Sequence, residues 1–210
     1  MGKRSTFLEL KESERAYRRD LILDAAMSLF AERPFHEIGM RDIANEAGIS
    51  PASIYRYFSS RDDILAEILG HEVSEGSQRQ QKRLETGRAS LEDIAAGIVD
   101  FFMEKEATLQ MLNYFLLKEE VDEEARNKFS AIQVHYLEQF DQVLQSMGCD
   151  PDNVRLFSRA FFASLLGIII SFRNSPDKSS ETNKKHVYRL AKMTATIFKK
   201  GMPSMDNPPS

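Results

Sequence analysis

The sequence predicts an all-α protein, with an N-terminal three-helix helix-turn-helix domain, a linking helix and a C-terminal helical domain. Three observations predict it. Apolar residues recur at helical spacing, as in Ile22, Ala25, Ala26, Leu29 and Phe30, at i, i+3, i+4, i+7 and i+8. The period-2 alternation of a half-buried strand persists nowhere. The stretch GMRDIANEAGISPASIYRYF, residues 39–58, spaces a small residue (Ala44), a glycine (Gly48) and an apolar residue (Ile54) as two crossing short helices require.

Each N-terminal element has its own signals. Residues 1–12 read as a mobile arm carrying Lys3, Arg4 and Lys11, and the first helix is expected from around Glu14 to the stop at Pro34. Phe35 is expected to fold back onto the core. Gly39 is a weak N-cap for the second helix, whose apolar face is filled by Met40, Ile43, Ala47 and Ile49. Gly48 ends that helix because a turn there needs φ > 0. Ser50 caps the third, about two turns long, with Pro51 at its first position and Ile54 and Phe58 inward. Ser60 caps the fourth, with Asp63 three residues on as a short capping box. Ile64, Leu65, Ile68, Leu69 and Val73 form its buried face before the charged tract GSQRQQKRLE.

Taken together, ILDAAMSLFAE, Phe35, RDIANEAGIS, SIYRYF and SRDDIL resemble the N-terminal domain of the tetracycline-repressor (TetR) family of bacterial regulators, from about Arg18 to Leu69. The departures are Pro34 in place of the usual glycine, Ile38-Gly39 in place of a Thr/Ser pair, and Pro51-Ala52 in place of Lys-Gly. The resemblance implies a DNA-binding domain over residues 1–74 and an effector-binding, dimerising domain over 75–210. It implies that Tyr55 and Arg61 contact the DNA backbone, whereas Ser50, Pro51, Ala52, Ser53, Arg56 and Tyr57 approach base edges; Arg41 joins the expected DNA-binding set. The chemistry agrees. Arginine pairs bidentately with guanine, and an alanine or proline surface suits a thymine methyl. Hydroxyls, Arg61 and the backbone N–H groups at Ser50 and Ser60 suit phosphates.

From Ser90 onward, stripes such as Leu91, Ile94, Ala95, Ile98 and Phe102 predict further helices, and SMGCDPDN marks a break, with Gly148 ending one helix and Asp150-Pro151 opening the next. Ala160, Ser164, Gly167 and Ser171 fall at i, i+4, i+7 and i+11, a stripe of small residues on a helix otherwise apolar all round. With Leu190, Thr194 and Ile197 on the last helix, they form the expected dimer interface. Many aromatic rings on short helices predict irregular gaps where a ligand fits. The expected lining is Phe102, Met111, Tyr114, His135 and Phe162, and the expected effector is apolar or amphipathic. The tail from Pro203 to Ser210 reads as disordered.

Composition narrows the function classes. The net charge of −4, and ten basic against eleven acidic residues over 1–65, mean that any basic surface must be local. The single cysteine, Cys149, excludes an intrachain disulfide and a Cys-rich zinc site. The four histidines show no metal-ligand spacing, and no phosphate loop or nucleophile signature occurs. The N-terminus lacks a signal-peptide apolar core, and the longest uncharged run, Ala160–Phe172, is too short to span a bilayer. Together with the family resemblance, which implies the rest, these exclusions lead to the expectation of a cytoplasmic, non-enzymatic homodimer without cofactor that represses from a palindromic double-stranded DNA operator and is released by a small ligand. The alternative is a DNA-anchored helical scaffold whose C-terminal domain recruits a protein partner.

Overall fold

The computed structural model describes residues 2–34, 37–84, 90–173 and 181–202. Among them the fold is all-α, with no strand. The helices are α1 (Gly2–Glu32), α2 (Met40–Glu46), α3 (Pro51–Ile54), α4 (Arg61–Leu84), α5 (Leu91–Glu104), α6 (Glu106–Leu117), α7 (Glu123–Ser146), α8 (Val154–Arg173) and α9 (Glu181–Lys200). Phe35 and the tail from Pro203 lie outside the described residues.

Three elements depart from expectation. The N-terminal arm is helical, so α1 begins at Gly2 and not near Glu14. No proline or glycine interrupts residues 3–32, and Lys, Glu, Arg and Leu favour the helix. Once the packed face at Ile22–Leu29 nucleates α1, propagation backward costs little. The second departure is α3, a single turn. Beyond Ile54 the Arg56 and Tyr57 N–H groups donate to carbonyls three residues back, at 3.1 and 2.9 Å, which tightens the chain out of α-helical geometry. The third is α8, which starts at Val154 and not at Pro151. The Asp150 side chain accepts from the Asp152 N–H and the Asn153 amide, and this local turn occupies residues 151–153.

The chain forms two compact units, Met1–His71 with Gln110–Phe129, and Glu72–Leu109 with Ser130–Ser210. In the first, Ile22, Ala26, Ile43, Ala44, Ile54, Ile64 and Leu65 are fully buried, with Phe58 beside them. Ala44 lies on α2 and Ile54 on α3, and Gly48 between them has φ +66°. The Ile49 N–H donates to the Ala44 carbonyl at 2.9 Å and the Gly48 N–H to the Asn45 carbonyl at 3.1 Å. These bonds satisfy carbonyls that the end of α2 would leave orphaned. Gly148, φ +94°, ends α7 in the same way. At the start of α2, Gly39 has no side chain to cap with, but the Asp42 carboxylate accepts its N–H at 2.8 Å.

The second unit is built on α5, α8 and α9, with the later parts of α4 and α7. The Ser90 hydroxyl accepts the Asp93 N–H and the Asp93 carboxylate accepts the Ser90 N–H, a complete capping box for α5. A Cβ at Gly76 would sit 2.7 Å from the Phe101 ring, so any side chain there would force the ring to shift. Phe140 stacks on Phe161 at 5.8 Å, and buried Ser158 donates to Asp141 at 2.5 Å, tying α7 to α8. Cys149 is buried, and burial pushes its thiol pKa up, away from the reactive thiolate.

Candidate nucleic-acid interface

The surface around α3 is defined by what holds its inner side. Buried Ile54 and Phe58 turn inward, which leaves Ser50, Pro51, Ala52, Tyr55 and Arg56 exposed and Ser53 and Tyr57 half-buried. Ser50 Oγ accepts the Ser53 N–H at 3.1 Å and lies 2.8 Å from Ser53 Oγ, so the two hydroxyls fix the first turn. Arg41 is exposed at the start of α2. The structure therefore brings the expected residues Ser50, Pro51, Ala52, Ser53, Tyr55, Arg56 and Tyr57 together on one short segment that carries hydroxyls, a guanidinium and apolar edges.

Arg61 stands differently. Its guanidinium donates to Tyr114 Oη at 3.0 Å and to the Ile38 carbonyl at 3.4 Å. Tyr114 in turn donates to Asp62 at 2.7 Å, and Lys118 reaches both Asp62, at 3.0 Å, and Tyr114. Tyr114, expected beside a ligand, thus spends its hydroxyl within the first unit, and Met111 is buried in that same unit.

A second charge cluster positions α3, and no sequence signal announces it. Arg19 donates to the Tyr57 carbonyl at 2.7 Å and to Glu67 at 2.5 Å, with its guanidinium 4.3 Å from the centre of the Phe58 ring. Lys128 donates to Asp63 at 2.5 Å and to Glu67 at 2.7 Å. Asp63 is almost fully buried, and its other oxygen accepts the Ser59 N–H at 3.0 Å. The capping exchange at α4 therefore closes on Ser59, while the Ser60 hydroxyl accepts the Asp63 N–H at 3.1 Å. Arg19 was visible only as one of several basic residues in α1. Lys128 is 61 residues from Glu67, and local pattern cannot see such a pair.

Burial alone would push the Asp62 and Glu67 carboxyls up. The hydrogen bonds from Tyr114 and Lys118 to Asp62, and from Lys128 and Arg19 to Glu67, outweigh it and hold both below the ordinary carboxylate range. Burial lowers Lys118 and Lys128, but the bonds to Tyr114 and Asp62 leave Lys118 raised, and those to Asp63 and Glu67 leave Lys128 raised.

In the second unit, Phe162 lies 6.4 Å from Phe102 and 5.3 Å from Tyr136, centre to centre. Desolvation pushes the Tyr136 hydroxyl up. His135 does not join these rings. It is exposed, with Nε2 3.0 Å from the Gln139 amide nitrogen on the same helix, because the inward register of α7 is taken by Leu137, Phe140 and Leu144. Of the small-residue stripe, Ala160, Gly167 and Ser171 are exposed and Ser164 half-buried; Leu156 and Ile170 add apolar surface beside them. A Cβ on Gly167 would meet nothing within 4 Å. The Ser164 and Ser171 hydroxyls donate to the Ala160 and Gly167 carbonyls, so the stripe presents little unpaired polarity. On α9, Ile197 and Met193 are exposed, with Leu190 and Thr194 half-buried.

Residues 22–68 match the model of the tetR family of bacterial regulatory proteins. The chain is 35% identical over 82 residues to the HTH-type transcriptional repressor KstR2 of Mycolicibacterium smegmatis, a match covering 39% of this chain and 40% of that one. It thus spans less than half the length of that curated relative. The fold is similar to that of Thermus thermophilus FadR in complex with lauroyl-CoA, with a TM-score of 0.65 at 18% identity over 91% of this chain and 98% of that one. It is also similar to Bacillus subtilis FadR in complex with stearoyl-CoA, with a TM-score of 0.64 at 20% identity over 87% and 98%. At these identities the structural likeness is one of fold.

The lowered carboxylates define an acid-dependent stability. A group whose folded pKa lies below its unfolded value stabilises fully above the unfolded value, about 4.3 for Glu, and loses that contribution as pH falls through the folded value. Glu67→Gln should therefore lower the melting temperature at pH 7, and the gap to wild type should close as pH falls below about 5 and through the lowered Glu67 value. Melting curves across that range test this, and a gap independent of pH would refute the Glu67 assignment.

Proposed function

Because the chain belongs to the TetR family of bacterial regulatory proteins, a family of regulators and not of enzymes, we propose that it is a cytoplasmic transcriptional repressor. It acts as a homodimer on an inverted-repeat operator and is released by an apolar or amphipathic ligand. The observation that carries this reading is the exposed segment Ser50–Tyr57, clamped from behind by Ile54, Phe58 and Arg19. A short rigid segment presenting Arg56, Tyr55 and two serines suits the major groove, where side chains distinguish base pairs and hydroxyls grip phosphates. Arg41, at the start of α2, adds a phosphate contact. Arg61, at the start of α4, is assigned a backbone phosphate contact by resemblance to the family.

The second unit supports the other two parts of the reading. The exposed stripe on α8, with Ile197 and Leu190 on α9, offers apolar surface without side-chain bulk, which is what two helices need to pack closely across a two-fold axis. The Phe102, Tyr136 and Phe162 rings suit an acyl or similar apolar group, and lauroyl-CoA and stearoyl-CoA in the two similar structures belong to the amphipathic class. A ligand releases DNA only if it prefers the dimer form whose α3 segments are wrongly spaced. Selecting genomic fragments that the protein retains, then titrating the recovered operator with and without a long-chain acyl-CoA, tests the whole reading. Retention of no specific fragment would refute it.

Two substitutions separate its parts. Arg56→Ala should cost about 1–3 kcal/mol on the operator and relax preference at one position per half-site, read by fluorescence anisotropy on single-base operator variants. Loss of no affinity would remove Arg56 from base readout. Gly167→Leu adds its side chain to open space in the single chain, so monomer stability should hold. Packing across the stripe should weaken by roughly 1–3 kcal/mol through overpacking. Sedimentation equilibrium should show a wild-type dimer and a dissociating variant, and a fully dimeric variant would place the interface elsewhere.

A further inference from the structure

The N-terminal half of α1 is solvent-exposed along its described side chains. Every described side chain from Leu8 to Arg18 is exposed, and burial begins only at half-buried Arg19 and fully buried Ile22. At 1.5 Å per residue, the helix ahead of Arg19 overhangs the first unit by about 25 Å. Where it leaves is fixed. Arg19 donates to the Tyr57 carbonyl at 2.7 Å, so the overhang departs beside the end of the α3 segment.

Its charge is segregated. At 100° per residue, Arg18, Arg15 and Lys11 continue along the stripe that Ile22, Ala25, Ala26 and Leu29 occupy further down the same helix. The face that meets the core thus turns basic as soon as it passes the core. Glu9 and Glu12 fall on other sides, and Glu14, at the edge of the stripe, pairs with Arg18 at 2.8 Å. Residues 1–19 carry six basic against three acidic residues in a chain of net charge −4.

We propose that this overhang is a second DNA-contacting element, whose Lys11–Arg15–Arg18 stripe binds the sugar-phosphate backbone flanking the half-site read from α3. The proposal rests on the DNA-binding function proposed above. The occupant follows from place and charge together: an acidic polymer held by Ser50–Tyr57 runs beside the point where a basic helical face emerges. Phosphate contacts of this kind add affinity without sequence information. An overhang of about 25 Å covers roughly seven base pairs at 3.4 Å each. Leu10, Tyr17 and Leu21, exposed on a different face, do not enter this contact.

The test compares full-length wild type with Lys11→Ala/Arg15→Ala on two duplexes, one ending at the half-sites and one extended by about eight base pairs on each side. Wild type should gain about tenfold in affinity from the extension, and the variant less than about twofold. On the long duplex, the slope of log affinity against log salt should fall by about one for each basic residue removed per protomer. Lys11→Arg/Arg15→Lys, which keeps the charges, should keep the gain. Both positions are exposed, so melting temperatures should match. An equal gain from the flanks in wild type and the Ala variant overturns the inference while leaving the α3 contact standing. A wild type that binds neither duplex overturns the DNA-binding reading itself. Should the Ala substitutions change sedimentation of the free protein and leave the flank gain intact, the overhang docks on a second copy and the inference fails.

Discussion

The close crossing of α2 over α3 is the constraint on which the first unit depends. Ala44 is fully buried there, and Gly48 turns the chain at φ +66° so that Ile54 can close the contact. A larger residue at 44 would force the helices apart. Any residue with a Cβ at 48 would add about 1–2 kcal/mol of backbone strain, although space is open around it. Because α3 is one turn long, it has little helical stability of its own. Its conformation is imposed by the Ser50 cap in front, Ile54 beneath and the Arg19 bond to the Tyr57 carbonyl behind.

Charge completes what apolar packing begins. Asp62, Asp63 and Glu67 on α4 would be costly to bury alone. Each instead meets Tyr114, Lys118, Lys128 or Arg19 within hydrogen-bonding distance. Three of these four partners come from residues 110–129, which pack with the first unit although they follow it by some forty residues. The segment that presents Arg56 and Tyr55 is thus braced by side chains from α1 and from α6 and α7. Cutting the chain after the fourth helix would take Lys118 from Asp62 and Lys128 from Asp63 and Glu67, leaving Glu67 with Arg19 alone.

The second unit solves a different problem. α8 is apolar on nearly every side, yet Phe161, Leu165 and Ile169 face inward while Gly167, Ala160 and Ile170 face out. Uncovered apolar surface of this extent is what a partner helix removes from water. Serine hydroxyls along the stripe return their hydrogen bonds to the preceding turn, so covering the face would leave few polar groups unpaired.

What the sequence by itself determined is whatever one or two turns of chain decide. The all-α class, Gly48 and Gly148 as helix stops, Ser50 and Ser90 as caps, and the inward Ile54 and Phe58 were all legible, because periodicity and capping act over three to five residues. Local reading erred where local signals were silent or misleading. It expected a loose arm where α1 runs on unbroken from Gly2, two turns where α3 tightens after one, and an inward histidine where Tyr136 and its neighbours take the interior of α7. Only the tertiary structure decided that Lys128 meets Asp63 and Glu67, that Tyr114 serves Asp62 and Arg61, and that Arg19 holds the Tyr57 carbonyl. Those contacts join residues 38 to 65 positions apart. Their existence depends on how whole helices pack, and no local periodicity encodes it.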